Sequence, residues 1–280
     1  MNESNREEIE FWNRLGRRWA IYQERLDRVW RPIGDAAIDR AAVQPGGRVI
    51  DVGCGCGATA LDLATKVGST GSVVGVDVSA PMLQRARERA QAAGVRNLEF
   101  IQADASVCAF SNDADLLFSR TGVMFFTDTV VAFTNLRRAL RPGGRLVFVC
   151  FRDRELNSWW TVPLTAVATV VAVEPPIPPR QPGPFAFAEE SYLREILDRS
   201  GFVHAVCEPR DYDLLFGDDL ESATDFMINA GSAAGALANV HEDQRVQARS
   251  AIRQGLSPFT AATGVLLNAA TWIVSASNPR

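Results

Sequence analysis

A chain of 280 residues that is 47% hydrophobic and 22% charged holds enough apolar material for a sizeable core, so disorder as its main state is excluded. Its length suits one large α/β domain or a core with a small cap, because domains average about 100–200 residues. A net charge of −4 with two histidines leaves no basic field for a polyanion, which disfavours a general nucleic-acid binder. Among the 29 basic residues Lys66 is the single lysine, so any lysine-dependent chemistry has to use it. Cys54, Cys56, Cys108, Cys150 and Cys207 are an odd set scattered through apolar segments, which reads as free thiols in a reducing compartment. The first twenty residues are polar and charged, without an apolar signal stretch, and no run of about 18 apolar residues follows; a cytoplasmic protein with no membrane span is expected.

In chain order, residues 4–40 read as helix, with Phe11, Trp12, Leu15, Trp19, Tyr22 and Leu26 on one apolar stripe. The stripe either packs on the domain or forms a lid whose aromatics line a site, with Trp12, Trp19 and Tyr22 as candidate substrate contacts. Pro45-Gly46-Gly47 breaks the chain. Strand and helix signals then alternate: strand 48–53, helix 58–67, strand 72–77, a helix that Ser79 can cap and that ends near Gly94, strand 98–103 and strand 114–118. Thr127 or Asp128 can cap the next helix, which runs through Leu140; residues 141–144 form a turn before a fifth strand at 146–151. This order predicts a parallel sheet with helices on both faces, linked by right-handed crossovers.

The division into units follows the same signals. Residues 1–40 are the expected helical lid and 41–153 the ligand-binding core. Residues 154–188 form a cap insertion, helical around Trp159–Val173, then an extended strap with six prolines between 175 and 184. Residues 189–280 return to the core, with helix 189–200, strand 203–208, two helices within 218–256, and strand at 264–267 and 271–275.

Val49–Gly57 (VIDVGCGCG) sits where the first strand ends and a helix begins. Gly53, Gly55 and Gly57 permit positive φ and close backbone approach to a ligand. The glycines alone also fit a relaxed dinucleotide fingerprint, Gly53-x-Gly55-x-x-Ala58. Carboxylates at successive strand ends shift the balance. Asp77 ends the second strand, where a carboxylate accepts both hydroxyls of a ribose. Asp104 ends the third and suits the exocyclic amine of an adenine. Asp51 precedes Gly53 by two positions, where it orients the loop or meets a cationic ligand group. A pyrophosphate loop has little use for a carboxylate beside its phosphates; a loop that holds a sulfonium and an amino-acid ammonium does. Cys54 and Cys56 form a C-x-C pair with too few companions for zinc, and no HExxH occurs, so no metal is expected.

The segments D-V-G-C-G-C-G (51–57), G-V-D-V-S (75–79), Q-A-D-A (102–105), DLLFSRTGVMFF (115–126) and R-P-G-G-R-L (141–146), in this order and spacing, resemble class I S-adenosylmethionine-dependent methyltransferases. The likeness is greatest to the small-molecule branch that includes the ubiquinone/menaquinone-biosynthesis type, and it covers roughly residues 45–151. It implies a Rossmann-like, mostly parallel sheet of seven strands with the last one antiparallel. It also implies S-adenosyl-L-methionine as cofactor. By the same resemblance Asp51, Gly53 and Gly55 surround its methionine part, Cys54 belongs to the same cofactor-binding set, and Asp77 takes the ribose. Val78 and Met82 flank the adenine, Asp104 accepts the adenine amine, and the Ala105 N–H lies beside a ring nitrogen. Ser119 and Arg120 close the methionine end and face the acceptor.

Methyl transfer from a sulfonium is an in-line displacement that chiefly needs alignment and exclusion of water, so no catalytic triad is expected and none is found. After the fourth strand the chain reads Ser119-Arg-Thr-Gly122 rather than the N/D-P-P-Y/F of nucleobase-amine methylases, and no Pro-Cys of RNA cytosine-carbon methylases occurs. A small organic acceptor, apolar or aromatic, is expected. Trp159 and Trp160 are further candidates to line its pocket, and their alternative role is packing of cap on core. Two other classes stay open. One is a non-catalytic cofactor-binding module. The other is an NAD-dependent oxidoreductase, against which stands the lack of a Y-x-x-x-K signature, since position 62 is Asp62.

Overall fold

The computed structural model describes residues 3–280; residues 1–2 of the expected lid lie outside the described residues. Two helices open the chain, α1 (Glu3–Ile21) and α2 (Gln23–Ala41). Strand β1 (Arg48–Val52), α3 (Ala58–Val67), β2 (Ser72–Asp77), α4 (Ala80–Ala92), β3 (Leu98–Gln102) and β4 (Ala114–Arg120) follow. Then come α5 (Thr129–Ala139), β5 (Leu140–Phe151), α6 (Ser158–Val167), α7 (Glu190–Arg199) and β6 (Val203–Gly217). The chain closes with α8 (Leu220–Asn229), α9 (Glu242–Leu256), the two-residue β7 (Thr260–Ala261) and β8 (Gly264–Ser277).

The sheet order is β3-β2-β1-β4-β5-β8-β6, with β7 paired to β8 off this path. Strands β1 to β5 pair in parallel and β8 runs antiparallel to both β5 and β6. Central strands buried on both sides, such as β1 and β4, are what helices packed on both faces require. Strand order reverses between β1 and β4, and in open sheets of this kind the crevice above the carboxyl ends at that reversal receives the ligand. Two glycines meet there. Gly53 has φ +67, and a Cβ on it would lie 2.8 Å from the Cα of Gly122, just past β4.

Several elements differ from the sequence expectation. The stretch read as a single helix over 4–40 is two, broken at Tyr22, whose φ of −94 and ψ of 14 leave the helical path. The break escapes periodicity because the apolar stripe continues across it. The expected turn 141–144 lies inside β5: Leu140 pairs with Ala114 and a register shift absorbs the extra residues before Arg145 pairs with Leu116. The helix expected over 159–173 ends at Val167, and the Pro-rich stretch beyond it forms no helix or strand. The two late strand pieces, 264–267 and 271–275, are one continuous β8, and strand 203–208 extends to Gly217 to pair along it. Asp128 caps α5 through the Val131 N–H, as its residue type predicts.

Ser79 does not cap α4. Its hydroxyl donates to the Trp12 carbonyl at 3.1 Å, and the Ala80 N–H that begins the helix donates instead to Asn13 Oδ1 at 3.0 Å. Helix α1 therefore caps α4 from outside, and the fit is close: a Cβ on Gly16 would sit 2.2 Å from Ser79 Oγ. Replacing Gly16 by Val is expected to detach α1 from α4 while the sheet stays folded. Hydrogen exchange should speed up across residues 9–21 and leave β4 and β5 protected; unchanged protection of α1 would contradict the packing.

Candidate functional site

The N–H groups of Gly53, Cys54, Gly55 and Gly57 in the glycine loop are all engaged within the protein, three of them by the end of β2. Gly53 and Cys54 N–H groups donate to the Val76 carbonyl at 2.8 and 3.1 Å, and Gly57 N–H donates to the Cys54 carbonyl at 2.9 Å. Gly55 N–H donates to Asp77 Oδ2 at 2.8 Å. Asp77 Oδ1 in turn accepts the Ser79 N–H at 2.8 Å. One carboxylate thus joins the loop after β1 to the turn after β2. Burial raises the Asp77 pKa and the backbone N–H groups oppose that rise.

Asp51 is fully buried one strand position from the loop. Its Oδ2 accepts the Thr59 hydroxyl at 2.7 Å, while Oδ1 has no hydrogen-bond partner among the described residues. Burial pushes its pKa up to about 7; the Thr59 hydroxyl and the Arg120 charge hold the rise back. A buried carboxylate oxygen without a donor is costly, so its place next to the loop marks a point where a bound cationic or donor group fits.

Arg120 ends β4 half-buried and turns toward α2: its Cδ would lie 3.3 Å from a Cβ on Gly34. Burial lowers its pKa, opposed by Asp27, Asp51 and Asp62. It borders a cavity of about 120 Å³ between α2 and the first turn of α3, together with Asp27, Arg31, Thr59, Asp62 and Arg89. Acidic and basic groups alternate around this space, which suits a zwitterion better than an anion alone.

The remaining expected residues fall into two sorts. Met82 is buried, with its Sδ 3.7 Å from where a Gly55 Cβ would be and its Cγ 3.1 Å from a Cβ on Gly16, so it lies between the loop and α1. Val78 is half-buried and its carbonyl accepts from Gln102. Asp104 Oδ1 accepts the Ser106 N–H at 2.9 Å and hydroxyl at 2.6 Å; Ala105 beside it is buried. Two residues turn elsewhere. Cys54 Sγ points into the core, 3.0 Å from where a Gly75 Cβ would stand, and burial holds its thiol well above the usual range. The Ser119 hydroxyl, expected to close the methionine end, donates to the Val52 carbonyl at 2.7 Å and accepts the Gly122 N–H at 3.2 Å, so it fastens β4 to β1.

The candidate acceptor residues form two groups rather than one. Trp12 packs edge-on against Phe125 at 4.7 Å and Trp19 at 6.3 Å, over the single helical turn Val123–Phe125 that follows β4. Trp159 and Trp160 belong to a second cluster around Trp30, whose ring lies 5.0 Å from Trp159, 5.7 Å from Phe151 and 6.0 Å from Phe216. Tyr22 marks the α1–α2 junction, half-buried. Trp30, Phe125 and Phe151 were not singled out from the sequence. Trp30 extends the Tyr22–Leu26 stripe by one turn, and that continuation is the signal that points to it.

A sheet of this order with a glycine loop at the β1/β4 reversal and acidic strand ends defines a nucleoside-binding α/β protein. The chain belongs to the family described as "Methyltransferase domain", which matches residues 44–196. It is 36% identical over 118 residues to aklanonic acid methyltransferase DauC of Streptomyces sp. (strain C5), covering 42% of this chain and 54% of the relative. It is also 36% identical over 128 residues to the ubiquinone/menaquinone biosynthesis C-methyltransferase UbiE of Ectopseudomonas mendocina (strain ymp), covering 45% and 49%. The match thus spans about half the length of these curated relatives. Among solved structures, the phosphoethanolamine N-methyltransferase 2 of Haemonchus contortus, in complex with phosphomonomethylethanolamine and S-adenosylhomocysteine, shares the fold. That likeness has a TM-score of 0.56 at 21% identity, covering 89% of this chain and 53% of that one. Among the described residues no helix is long and apolar enough to cross a membrane.

The Asp51 carboxyl supplies a stability test. Its folded pKa of about 7 lies above the ordinary 3.8, so between those values the folded chain binds more protons than the unfolded one and stability falls as pH rises. Asp51→Asn removes that fall. The melting temperature of the variant relative to wild type is expected to climb by a few degrees between about pH 4 and pH 8. Parallel curves for the two proteins would refute the raised pKa.

Proposed function

We propose that this protein transfers a methyl group from S-adenosyl-L-methionine to a small organic acceptor, apolar or aromatic in character. The observation that carries the reading is the pairing of two buried carboxylates with a glycine loop whose Gly53, Cys54, Gly55 and Gly57 N–H groups are already engaged. Asp77 and the Val76 carbonyl take the N–H groups of Gly53, Cys54 and Gly55, and Asp51 adds a second carboxyl next to them. A pyrophosphate would meet like charge there and find those donors taken, which argues against a dinucleotide. A sulfonium and an ammonium would instead meet the unpartnered Asp51 oxygen.

In this reading Asp51 and the Arg120 cavity hold the zwitterionic methionyl end, with Gly53 and Gly55 giving close backbone approach. Asp77 accepts the ribose hydroxyls. Val78 and Met82 flank the adenine, with Asp104 and the Ala105 N–H at its polar edge. When bound, S-adenosylmethionine supplies an electrophilic methyl on sulfur. The chain's part is to align the acceptor at about 3–3.5 Å and exclude water. Helix α1 and the aromatic groups around Trp12 and Trp30 supply the cover and an apolar wall. The curated relatives named above are methyltransferases whose names cite aklanonic acid and ubiquinone/menaquinone biosynthesis, which supports a small organic acceptor.

Calorimetry should detect S-adenosylmethionine and S-adenosylhomocysteine binding and no binding of NAD. Asp77→Ala is expected to weaken the cofactor by about 1–3 kcal/mol, the scale of stranding buried hydrogen-bond partners. Labelled methyl from the cofactor should appear in an acceptor drawn from a small-metabolite extract. Binding of NAD in place of the adenosyl ligands, or unchanged affinity in Asp77→Ala, would defeat the proposal.

A further inference from the structure

The glycine loop is held at a third point, from the α2–α4 side rather than from β2. Arg89, on the third turn of α4, donates through Nη1 to the Cys56 carbonyl in the loop and through Nη2 to Asp27 Oδ2 of α2 at 2.7 Å. Both side chains are about four-fifths buried, with 20% and 23% exposed. A second rung runs one turn earlier on each helix. Gln23, buried on α2, accepts from Arg85 Nε at 3.2 Å and Nη2 at 3.1 Å, and its amide donates to the same Asp27 oxygen. The spacing is i, i+4 on both helices, so the two rungs stack along the α2–α4 seam. The guanidinium fork is what makes the three-way junction possible, because one planar group reaches a carbonyl and a carboxylate in fixed directions while a lysine ammonium is a single point of charge. Cys56 lies between Gly55 and Gly57, both at positive φ, in the stretch of loop with the least intrinsic stiffness. Arg89 and Asp27 also line the cavity that contains Arg120.

We propose that Arg89 is a positioning residue of the glycine loop. It ties the Cys56 carbonyl to Asp27, so that seating of α2 and the shape of the loop are one event. The geometry predicts coupling: loosening either side of the junction loosens the other. The cofactor arm of the test rests on the function proposed above; the exchange arm does not.

Three variants, Arg89→Ala, Arg89→Lys and Asp27→Asn, with the double variant Arg89→Ala/Asp27→Asn, are compared with wild type on the full chain. In the unliganded protein, hydrogen exchange in Arg89→Ala should rise together in peptides covering 53–59 and 23–31 and stay unchanged in β4 and β5. By calorimetry, S-adenosylhomocysteine should bind Arg89→Ala roughly ten- to hundred-fold more weakly, the scale of a lost charge-assisted hydrogen bond. Arg89→Lys should recover only part of that loss, and the double variant should be no weaker than Arg89→Ala. Faster exchange in one segment alone, affinity within two-fold of wild type, or losses that multiply in the double variant would each overturn the proposal. If Arg89→Ala melts below the assay temperature, Asp27→Asn and Arg89→Lys carry the same comparison. A wild-type chain that binds no S-adenosylhomocysteine would end the proposed function and leave the exchange result to decide the role of Arg89.

Discussion

The Asp77 carboxylate is the joint on which the site depends. A strand of a parallel sheet ends with unpaired backbone groups, and the loops above it have no ladder to hold them. Here one buried side chain accepts the Gly55 N–H from the loop after β1 and the Ser79 N–H from the turn after β2. Two neighbouring connections are thereby fixed to each other without a backbone ladder. Desolvation opposes keeping that group charged, and charge-assisted bonds to two backbone donors are what compensate. The Val76 carbonyl completes the arrangement by accepting from Gly53 and Cys54. The loop is shaped before any ligand arrives, which lowers the ordering cost at binding.

Around this joint, elements distant in sequence supply the walls. Helix α1 caps α4 through Asn13, α2 reaches the loop through Asp27 and Arg89, and Ser119 fastens β4 to β1. Each link uses a backbone group at a helix start, loop or strand end, places where regular structure leaves hydrogen-bonding groups to be satisfied otherwise. Covering helices and core therefore share polar contacts as well as apolar packing. The aromatic residues divide accordingly, with Trp12 beside Phe125 near the β4 end and Trp30 among Phe151, Trp159 and Phe216 toward the cap.

What could be read from the sequence was what short-range chemistry determines. The alternation of β-branched runs with helical periods locates β1 to β4 and their helices within a residue or two; β1 and β4, buried on both faces, are near-continuous apolar runs, whereas the edge strand β3 keeps only Phe100 buried. The acidic strand ends were visible for the same reason, since Asp51, Asp77 and Asp104 each stand at a fixed offset from such a run. Contacts that depend on chain segments far apart were not visible. Ser79 has the right residue type for a cap, yet the acceptor that caps α4 comes from Asn13, 67 residues away. Cys54 and Ser119 stand in the right loop and strand end, but the direction of a side chain follows from packing against Gly75 and Val52, which no local pattern encodes. Nothing in the sequence separates Arg89 from Arg85 and Arg87 on α4, and its junction exists only once α2 lies alongside.

The placement of β8 has a consequence for how the molecule is assembled. Among the described residues β6 pairs with the sheet only through β8, and β8 follows it after α8 and α9. As a nascent polypeptide leaves the ribosome, β1 to β5 can zip together in order, while β6 waits with its hydrogen-bonding edge bare until Gly264–Ser277 slides into the gap. That late insertion pairs residues far apart in sequence, Arg145 with Ser277 and Val203 with Ser277, and contacts of such long separation are the kind that close slowly as a chain folds.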